Sequence, residues 1–365
     1  MSLRVCGHTD TPKNPGRRLE LRTRRVFICH TLARLVTSNF DTLMSQTAST
    51  IPPAAGEAAV PDTIRAAFAP VAGVVEAQAY TRELAHSHYE NFSVVSFLLP
   101  KHLRQDFCNV YAFCRIADDL GDEVGDKALA SEYLARFREQ LQACYDGKAE
   151  TAVFVALSGT ISRHDIPIRP FLDLVDAFEQ DQRVNRYATF EQLQDYCRRS
   201  ADPVGRLVLY LCGYRDEARQ RLSDRICTGL QLANFWQDVR RDFVERDRIY
   251  IPADSMARFG VSENQIAAFR FDERFGDLMK FEVNRAMACF DEGAALLPML
   301  APSVRRQISL FEQGGRAILR AIERQDYDTL SRRPSLSKWQ KGRLMFNALG
   351  MALLQKMQPD EGGGQ

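Results

Sequence analysis

Lys101-His-Leu-Arg-Gln-Asp-Phe-Cys-Asn-Val-Tyr-Ala-Phe-Cys-Arg-Ile-Ala-Asp-Asp-Leu-Gly121 is the stretch on which the fold class turns. Apolar Leu103, Phe107, Val110, Tyr111, Cys114 and Ala117 recur every three or four residues, the period of one buried helix face. Pro100 opens the segment and Gly121 weakens its end. Outward from it, the helical period returns over roughly 74–88, 130–147, 170–181, 189–213, 216–243, 273–298, 302–324 and 336–356. Few runs alternate with period two, so no sheet is expected. Long helices joined by short Gly and Pro breaks predict an all-α chain, a single helical bundle enclosing an apolar cavity.

The rest of the chain bounds that reading. Its 365 residues carry a formal net charge of +1, so no global field draws it to nucleic acid or to an acidic surface. The nine cysteines are scattered, without a C-x-x-C pair, and most fall in apolar helical stretches. That pattern reads as buried, reduced thiols. No segment reaches the ~18–20 unbroken apolar residues of a spanning helix. The best candidate, Leu344 to Leu354, is short and contains Asn347 and Gly350. Residues 1–60 differ from the rest: Arg17, Arg18, Arg22, Arg24, Arg25 and Arg34 make the first part basic, and Thr47 to Val60 is rich in Ala, Thr, Ser and Pro. This is either a targeting peptide or a start placed too early, with translation beginning at Met44. Both readings make it a dispensable, disordered leader. Residues 61–358 then form one domain, and 359–365 a flexible, polar tail.

Two acidic constellations carry the chemistry. In the first, Arg115-Ile-Ala-Asp-Asp-Leu-Gly-Asp-Glu123, Asp118 and Asp122 share a helix face, as do Arg115 and Asp119. These carboxylates repel one another and sit at the helix end where the dipole disfavours negative charge. A divalent cation would offset both costs; a solvated acidic helix end is the alternative. In the second, Asn234, Asp238 and Asp242 stand at i, i+4 and i+8, one stripe of oxygen ligands drifting ~40° per step. Two such stripes facing each other could hold Mg²⁺ ions and a diphosphate between them, since Mg²⁺ is usually bound by one or two carboxylates plus substrate phosphates. Arg104, Arg115, Arg241 and Arg248 are candidates to neutralise the remaining charge, although each alone could be a surface residue. A third block, Tyr196-Cys-Arg-Arg-Ser-Ala-Asp-Pro-Val-Gly205, places small Ala201 and Gly205 one turn apart around Pro203. These admit either a neighbouring helix or a long apolar substrate. No dinucleotide fingerprint, P-loop or nucleophile elbow is present. His86 and His88 diverge on a helix and are not read as zinc ligands.

With these blocks in hand, the sequence resembles the squalene/phytoene synthase family over residues 80–350. In order they are His88-Tyr-Glu-Asn-Phe-Ser-Val-Val-Ser96, Tyr111 to Asp119, Arg186-Tyr187, Tyr196-Cys with Asp202-Pro-Val-Gly205, Asn234 to Asp242, and Arg248-Ile-Tyr-Ile-Pro252. The resemblance implies the type I isoprenoid synthase fold. It implies Mg²⁺ at Asp118, Asp119, Asp122, Asn234, Asp238 and Asp242, and diphosphate contacts from Arg115 and Arg241, with Arg104 and Arg248 as further candidates. Tyr196 takes a catalytic role beside Asp118 and Asp238, while Tyr187, Ala201, Gly205 and Asn91 line the substrate pocket. His-Tyr-Glu-Asn-Phe and Ser-Ala-Asp-Pro-Val-Gly look most like the bacterial hopanoid-pathway branch that contains hydroxysqualene synthase. That branch implies ionisation of presqualene diphosphate and capture of the rearranged cation by water, without NADPH. Asp202 or Tyr196 is then expected to order that water, unless Asp202 caps the Pro203 kink. The alternatives are presqualene diphosphate synthase, squalene synthase and phytoene synthase. A head-to-tail elongase fits less well, because the second motif begins with Asn234. Relatives that serve as respiratory-complex assembly factors have lost the carboxylates kept here. A cytoplasmic enzyme in transient contact with the inner membrane face and with neighbouring pathway enzymes is the resulting expectation.

Overall fold

A computed structural model describes residues 60–87, 100–337, 339 and 342. The leader, the block His88–Ser96 with Asn91, most of the expected helix 336–356 and the tail lie outside the described residues. Among these, fourteen α-helices follow one another: α1 Asp62–Ala67, α2 Val74–Ser87, α3 Arg104–Asp122, α4 Lys127–Tyr145, α5 Ala152–His164, α6 Arg169–Asp181 and α7 Phe190–Ser200. Then come α8 Asp202–Leu211, α9 Glu217–Gln237, α10 Val239–Arg246, α11 Ala253–Arg258, α12 Glu263–Ala267, α13 Glu273–Gly293 and α14 Pro302–Glu323. No strand occurs among the described residues; Pro70–Thr151 and Arg186–Ile249 are isolated bridges.

Two helices are buried on every side and organise the rest. In α3 each residue from Asp106 to Leu120 is buried, and in α9 each from Ile226 to Gln237. Around α3, Phe113 meets Phe137 of α4, Phe154 of α5 and Phe171 of α6, with ring centroids 4.8–6.1 Å apart. Around α9, Trp236, Phe235, Phe275 and Phe290 build a second core with α13 and α14. Helix α8 spans both, since Val204 and Leu207 join the first core and Leu209 the second. Many helix starts are written locally: Asp126, Asp216 and Asp272 each accept a hydrogen bond from the backbone N–H three residues on, at 2.8–3.0 Å.

Three expected helices are divided. The run 189–213 breaks at Ala201, and Pro203 sits in the first turn of α8, where its missing N–H costs nothing. The run 216–243 breaks at Asp238, the cap between α9 and α10. Helix α13 stops at Gly293, and a 3₁₀ segment, Ala294–Met299, carries Pro298. Helices α1, α5, α11 and α12 were not anticipated. The seven described cysteines are free and six of them are buried. Burial pushes the Cys114 thiol up to about 12, so it stays protonated and unreactive.

Candidate active site

The first acidic motif occupies the last turn of α3, at the negative end of the helix dipole. Asp118 and Asp119 are both 1% exposed. Arg115 holds Asp119 at two points, Nε to Oδ2 at 2.9 Å and Nη2 to Oδ1 at 2.6 Å, and reaches Glu123 at 3.3 Å. Burial nevertheless outweighs this guanidinium and raises the Asp119 carboxyl to about 7. Asp118 is pushed well above the usual carboxylate range by burial and then by the charge of Asp122. Asp122 is itself paired with Arg246 of α10 at 2.5 Å.

The second motif straddles the break between α9 and α10. Although the helix bends at Asp238, the i to i−4 bonding persists across it. The Asp238 N–H donates to Asn234 O at 3.0 Å and the Asp242 N–H to Asp238 O at 2.8 Å. The expected spacing of Asn234, Asp238 and Asp242 therefore survives a change of helix axis. All three are buried. Arg333, from the strap after α14, grips Asp238 through Nε to Oδ1 and Nη2 to Oδ2, the latter at 3.0 Å. Asp242 Oδ2 is buried and receives no hydrogen bond. Burial and the neighbouring Asp238 push the Asp242 carboxyl well above its ordinary range.

A polar cleft of about 760 Å³ opens beside the motifs, and of the six expected metal-holding side chains only Asp122 lines it. Asp122 enters it from α3, Lys127 from α4, Asp181 from α6, and Arg241 and Arg246 from α10, with Arg248 just beyond. Behind Asp181 lies an aromatic layer. The Tyr196 hydroxyl donates to Asp181 Oδ2 at 2.9 Å, Arg248 Nη2 donates to Asp181 O at 2.9 Å, and its Nη1 lies 3.4 Å from Oδ2. Tyr187 and Tyr196 pack on Tyr250, with centroids 5.8 and 6.1 Å apart. Burial and then Asp181 hold the Tyr196 phenol well above 10, so it remains neutral.

Several expected residues stand elsewhere. Arg104 is exposed at the first residue of α3, about 21 Å along the axis from Asp118 at 1.5 Å per residue, and cannot share the cleft through that helix. Gly205 admits a neighbouring helix: a Cβ there would lie 2.5 Å from Cys227 Sγ of α9. Asp202 neither caps α8 nor faces the cleft. It accepts a hydrogen bond from Thr228 at 2.9 Å and lines a separate groove with Arg206, Asp224 and Arg225. The water-ordering role expected of it is therefore withdrawn. Ala201 is buried at the same helix junction. Asn91 lies outside the described residues. Conversely, Asp181, Arg246 and Arg333 were not anticipated.

The donor set suits a hard divalent cation, being oxygen-only, with an undonated carboxylate oxygen on Asp242. Among the described residues no three acidic, His or Cys side chains converge to hold an ion unaided. Mg²⁺ shared with a diphosphate does not require that they do.

Helices stacked about two acidic helix ends beside a charged cleft define an isoprenoid-synthase fold. The chain belongs to the squalene/phytoene synthase family, whose sequence profile matches residues 85–340. Its relatives include a phytoene synthase of Arthrospira platensis, 32% identical over 277 residues, 71% of this chain and 88% of that one. A hydroxysqualene synthase of Sinorhizobium fredii is 34% identical over 209 residues, 57% of this chain and 70% of that one. The crystal structure of squalene synthase HpnC from Alicyclobacillus acidocaldarius superposes with a TM-score of 0.66 at 47% identity, covering 69% of this chain and 94% of that one. A dehydrosqualene synthase at 24% identity and a TM-score of 0.68 shares the fold, over 78% of this chain and 98% of that one.

Proposed function

We propose that this chain is a Mg²⁺-dependent enzyme that ionises presqualene diphosphate and yields hydroxysqualene and diphosphate without NADPH. The observation that carries a diphosphate chemistry is the convergence of Asp122, Arg241, Arg246 and Arg248 on one cleft, where Arg246 of the helix that carries Asp242 pairs with Asp122. Likeness to HpnC at 47% identity and to a hydroxysqualene synthase at 34% favours the C30 reaction. Asp118, Asp119 and Asp122 would hold metal on one side, and Asn234, Asp238 and Asp242 on the other. Bound Mg²⁺ supplies Lewis-acid stabilisation of the leaving group. Arg241, Arg246 and Arg248 then bear the rest of the diphosphate charge. The C–O bond breaks with its electron pair on diphosphate; after rearrangement, a water oxygen bonds to the cation and loses a proton. Tyr196 keeps its proton directed at Asp181 and stays neutral, so its catalytic part would be played through that carboxylate, which does line the cleft. On this reading the enzyme works at the cytoplasmic membrane face, alongside the other enzymes of its pathway.

A second reading, condensation of two prenyl diphosphates as in phytoene synthase, is favoured by the 32% identity spanning 88% of the Arthrospira protein. Purified protein incubated with presqualene diphosphate and Mg²⁺ separates the two. The expected result is diphosphate release and a C30 alcohol at a rate indifferent to NADPH. Squalene formed only with NADPH would replace water capture by hydride capture. Turnover of geranylgeranyl diphosphate with none of presqualene diphosphate would establish the second reading.

A further inference from the structure

Both acidic motifs already hold a cation of the chain's own. Arg246 Nη2 lies 2.5 Å from Asp122 Oδ2, and Arg333 grips both oxygens of Asp238. Arg246 stands four residues past Asp242 on the same helix, yet pairs with Asp122 of the other motif; Arg333 lies outside both motifs. Arg246 closes α10, and Arg333 sits on the strap after α14. That strap is fastened to the break in the second motif, for Gln237 Nε2 donates to Pro334 O at 2.7 Å and Arg240 Nη1 to Leu330 O at 3.1 Å. Asp242 Oδ2, between these two guanidinium groups in charge terms, has no donor. The carboxylates are almost enclosed, the Asp122 and Asp238 side chains being 11% and 2% exposed, while Arg246 and Arg333 are 15% and 33% exposed. At such sites Coulomb terms are weakly screened, so a divalent ion and a guanidinium compete for the same carboxylate oxygens.

We propose that Arg246 and Arg333 are exchangeable counter-ions, each occupying a motif carboxylate until a divalent cation displaces it, and that Arg246 then turns to the diphosphate. The proposal rests on the reading of the cleft as a metal and diphosphate site, and adds how that site is loaded. Arg246 already lines the cleft with Arg241 and Arg248, so a diphosphate entering there offers it new acceptors without a change of helix. Metal alone must evict both arginines from the carboxylates they hold, with only carboxylates of the same cluster left to receive them. Metal arriving with diphosphate gives Arg246 a partner and loses less. Affinities for the two ligands are therefore coupled, each raising the other by the same factor. Free Mg²⁺ would not fill the site ahead of substrate.

Titration of the full chain with Mn²⁺, followed by the electron paramagnetic resonance of the free ion, tests this with and without inorganic diphosphate. Wild type should bind Mn²⁺ weakly alone and roughly tenfold more tightly with diphosphate. Arg333→Gln should bind Mn²⁺ alone more tightly than wild type, by roughly fivefold or more. Arg246→Gln should also bind Mn²⁺ alone more tightly, yet lose most of the gain from diphosphate. Should a glutamine variant fail to fold, Arg333→Lys and Arg246→Lys, which keep charge but not guanidinium geometry, must shift the same affinities by smaller factors. If these variants bind Mn²⁺ alone no better than wild type, the counter-ion role is overturned while the site stands. If wild type binds no Mn²⁺ even with diphosphate, the reading of the cleft itself is overturned, and the counter-ion role with it.

Discussion

Asp119 sits between a guanidinium that favours its charge and a burial that disfavours it more strongly, and this balance has a pH signature. Its carboxyl rises from 3.8 to about 7 in the folded chain. The folded state thus binds a proton that the unfolded state has released across that window. Stability from this group is complete below about 4 and lost as pH rises through about 7. Metal-free wild type should therefore lose thermal stability relative to Asp119→Asn as pH goes from about 5 to about 8, since the amide does not titrate. A melting-temperature difference that stayed flat over that range would show that Arg115, not burial, dominates, because the carboxyl would then be ionised throughout in both states. Asp118→Asn should leave metal-free stability unchanged or improved, because burial and Asp122 already disfavour the charged form. Its turnover of presqualene diphosphate at saturating Mg²⁺ should fall by orders of magnitude; wild-type rates would rule Asp118 out of the metal site. Asp238→Asn should lower turnover as well but destabilise the fold, since it strips Arg333 of a buried partner. The motif acids were legible because their spacing is periodic. Asp181 and Arg333 were not, being single charges among many whose neighbours are set only by tertiary packing; Arg246 continues the second stripe four residues past Asp242, but its partner Asp122 is set by tertiary packing.

At the scale of elements, helices were legible where an apolar stripe is uninterrupted and invisible where the break is made by geometry alone. Nothing in the run around Asp238 resembles a stop signal, and the backbone bonds from Asp238 to Asn234 and from Asp242 to Asp238 continue through it. The short helices α11 and α12 lack the length for a periodic signal. Helix α5 was missed although six of its residues from Ala152 to Thr160 are buried, because Ala, Ser, Gly and Thr blur its stripe. The fit of α13 against α9 illustrates what patterning cannot convey. Gly293, the last residue of α13, faces the α9 backbone so closely that a Cβ would lie 3.0 Å from Ile226 N and 3.1 Å from Leu222 O. Backbone atoms of a fully packed helix cannot turn aside as a side chain can. Gly293→Ala should therefore cost ~1–3 kcal/mol of overpacking, against a helix-propensity gain of at most ~1 kcal/mol. A melting temperature lowered by a few degrees is the expected outcome. Ile226 stands about 18 Å along α9 from Asp238, so turnover per folded molecule should not change. A variant as stable as wild type would mean that the two helices can part without loss.

The whole molecule was expected to be all-α, and it is; it was also expected to enclose an apolar cavity, yet the cleft at the acidic motifs is lined largely by charge. On the proposed function, a thirty-carbon substrate brings its diphosphate into a polar cleft and finds apolar contact elsewhere, which makes access to a bilayer part of the problem. No helix among the described residues is long and apolar enough to cross a membrane. Exposed apolar side chains are nonetheless present: Val75 is 82% and Trp339 84% exposed, and Val244 stands exposed on the rim of the cleft itself. Trp339 is flanked in sequence by Lys338, Lys341 and Arg343. An indole prefers the interfacial layer, and each nearby cation adds about 1 kcal/mol of attraction to an anionic surface. Together these give surface adsorption that salt weakens, not insertion. The protein should sediment with vesicles containing anionic lipid and leave them in high salt or alkaline carbonate. Trp339→Ser should reduce the bound fraction without altering diphosphate release from substrate presented in detergent. Retention on washed membranes until detergent is added would mean that a segment outside the described residues inserts, and the adsorption argued from Val75, Val244 and Trp339 would then be secondary.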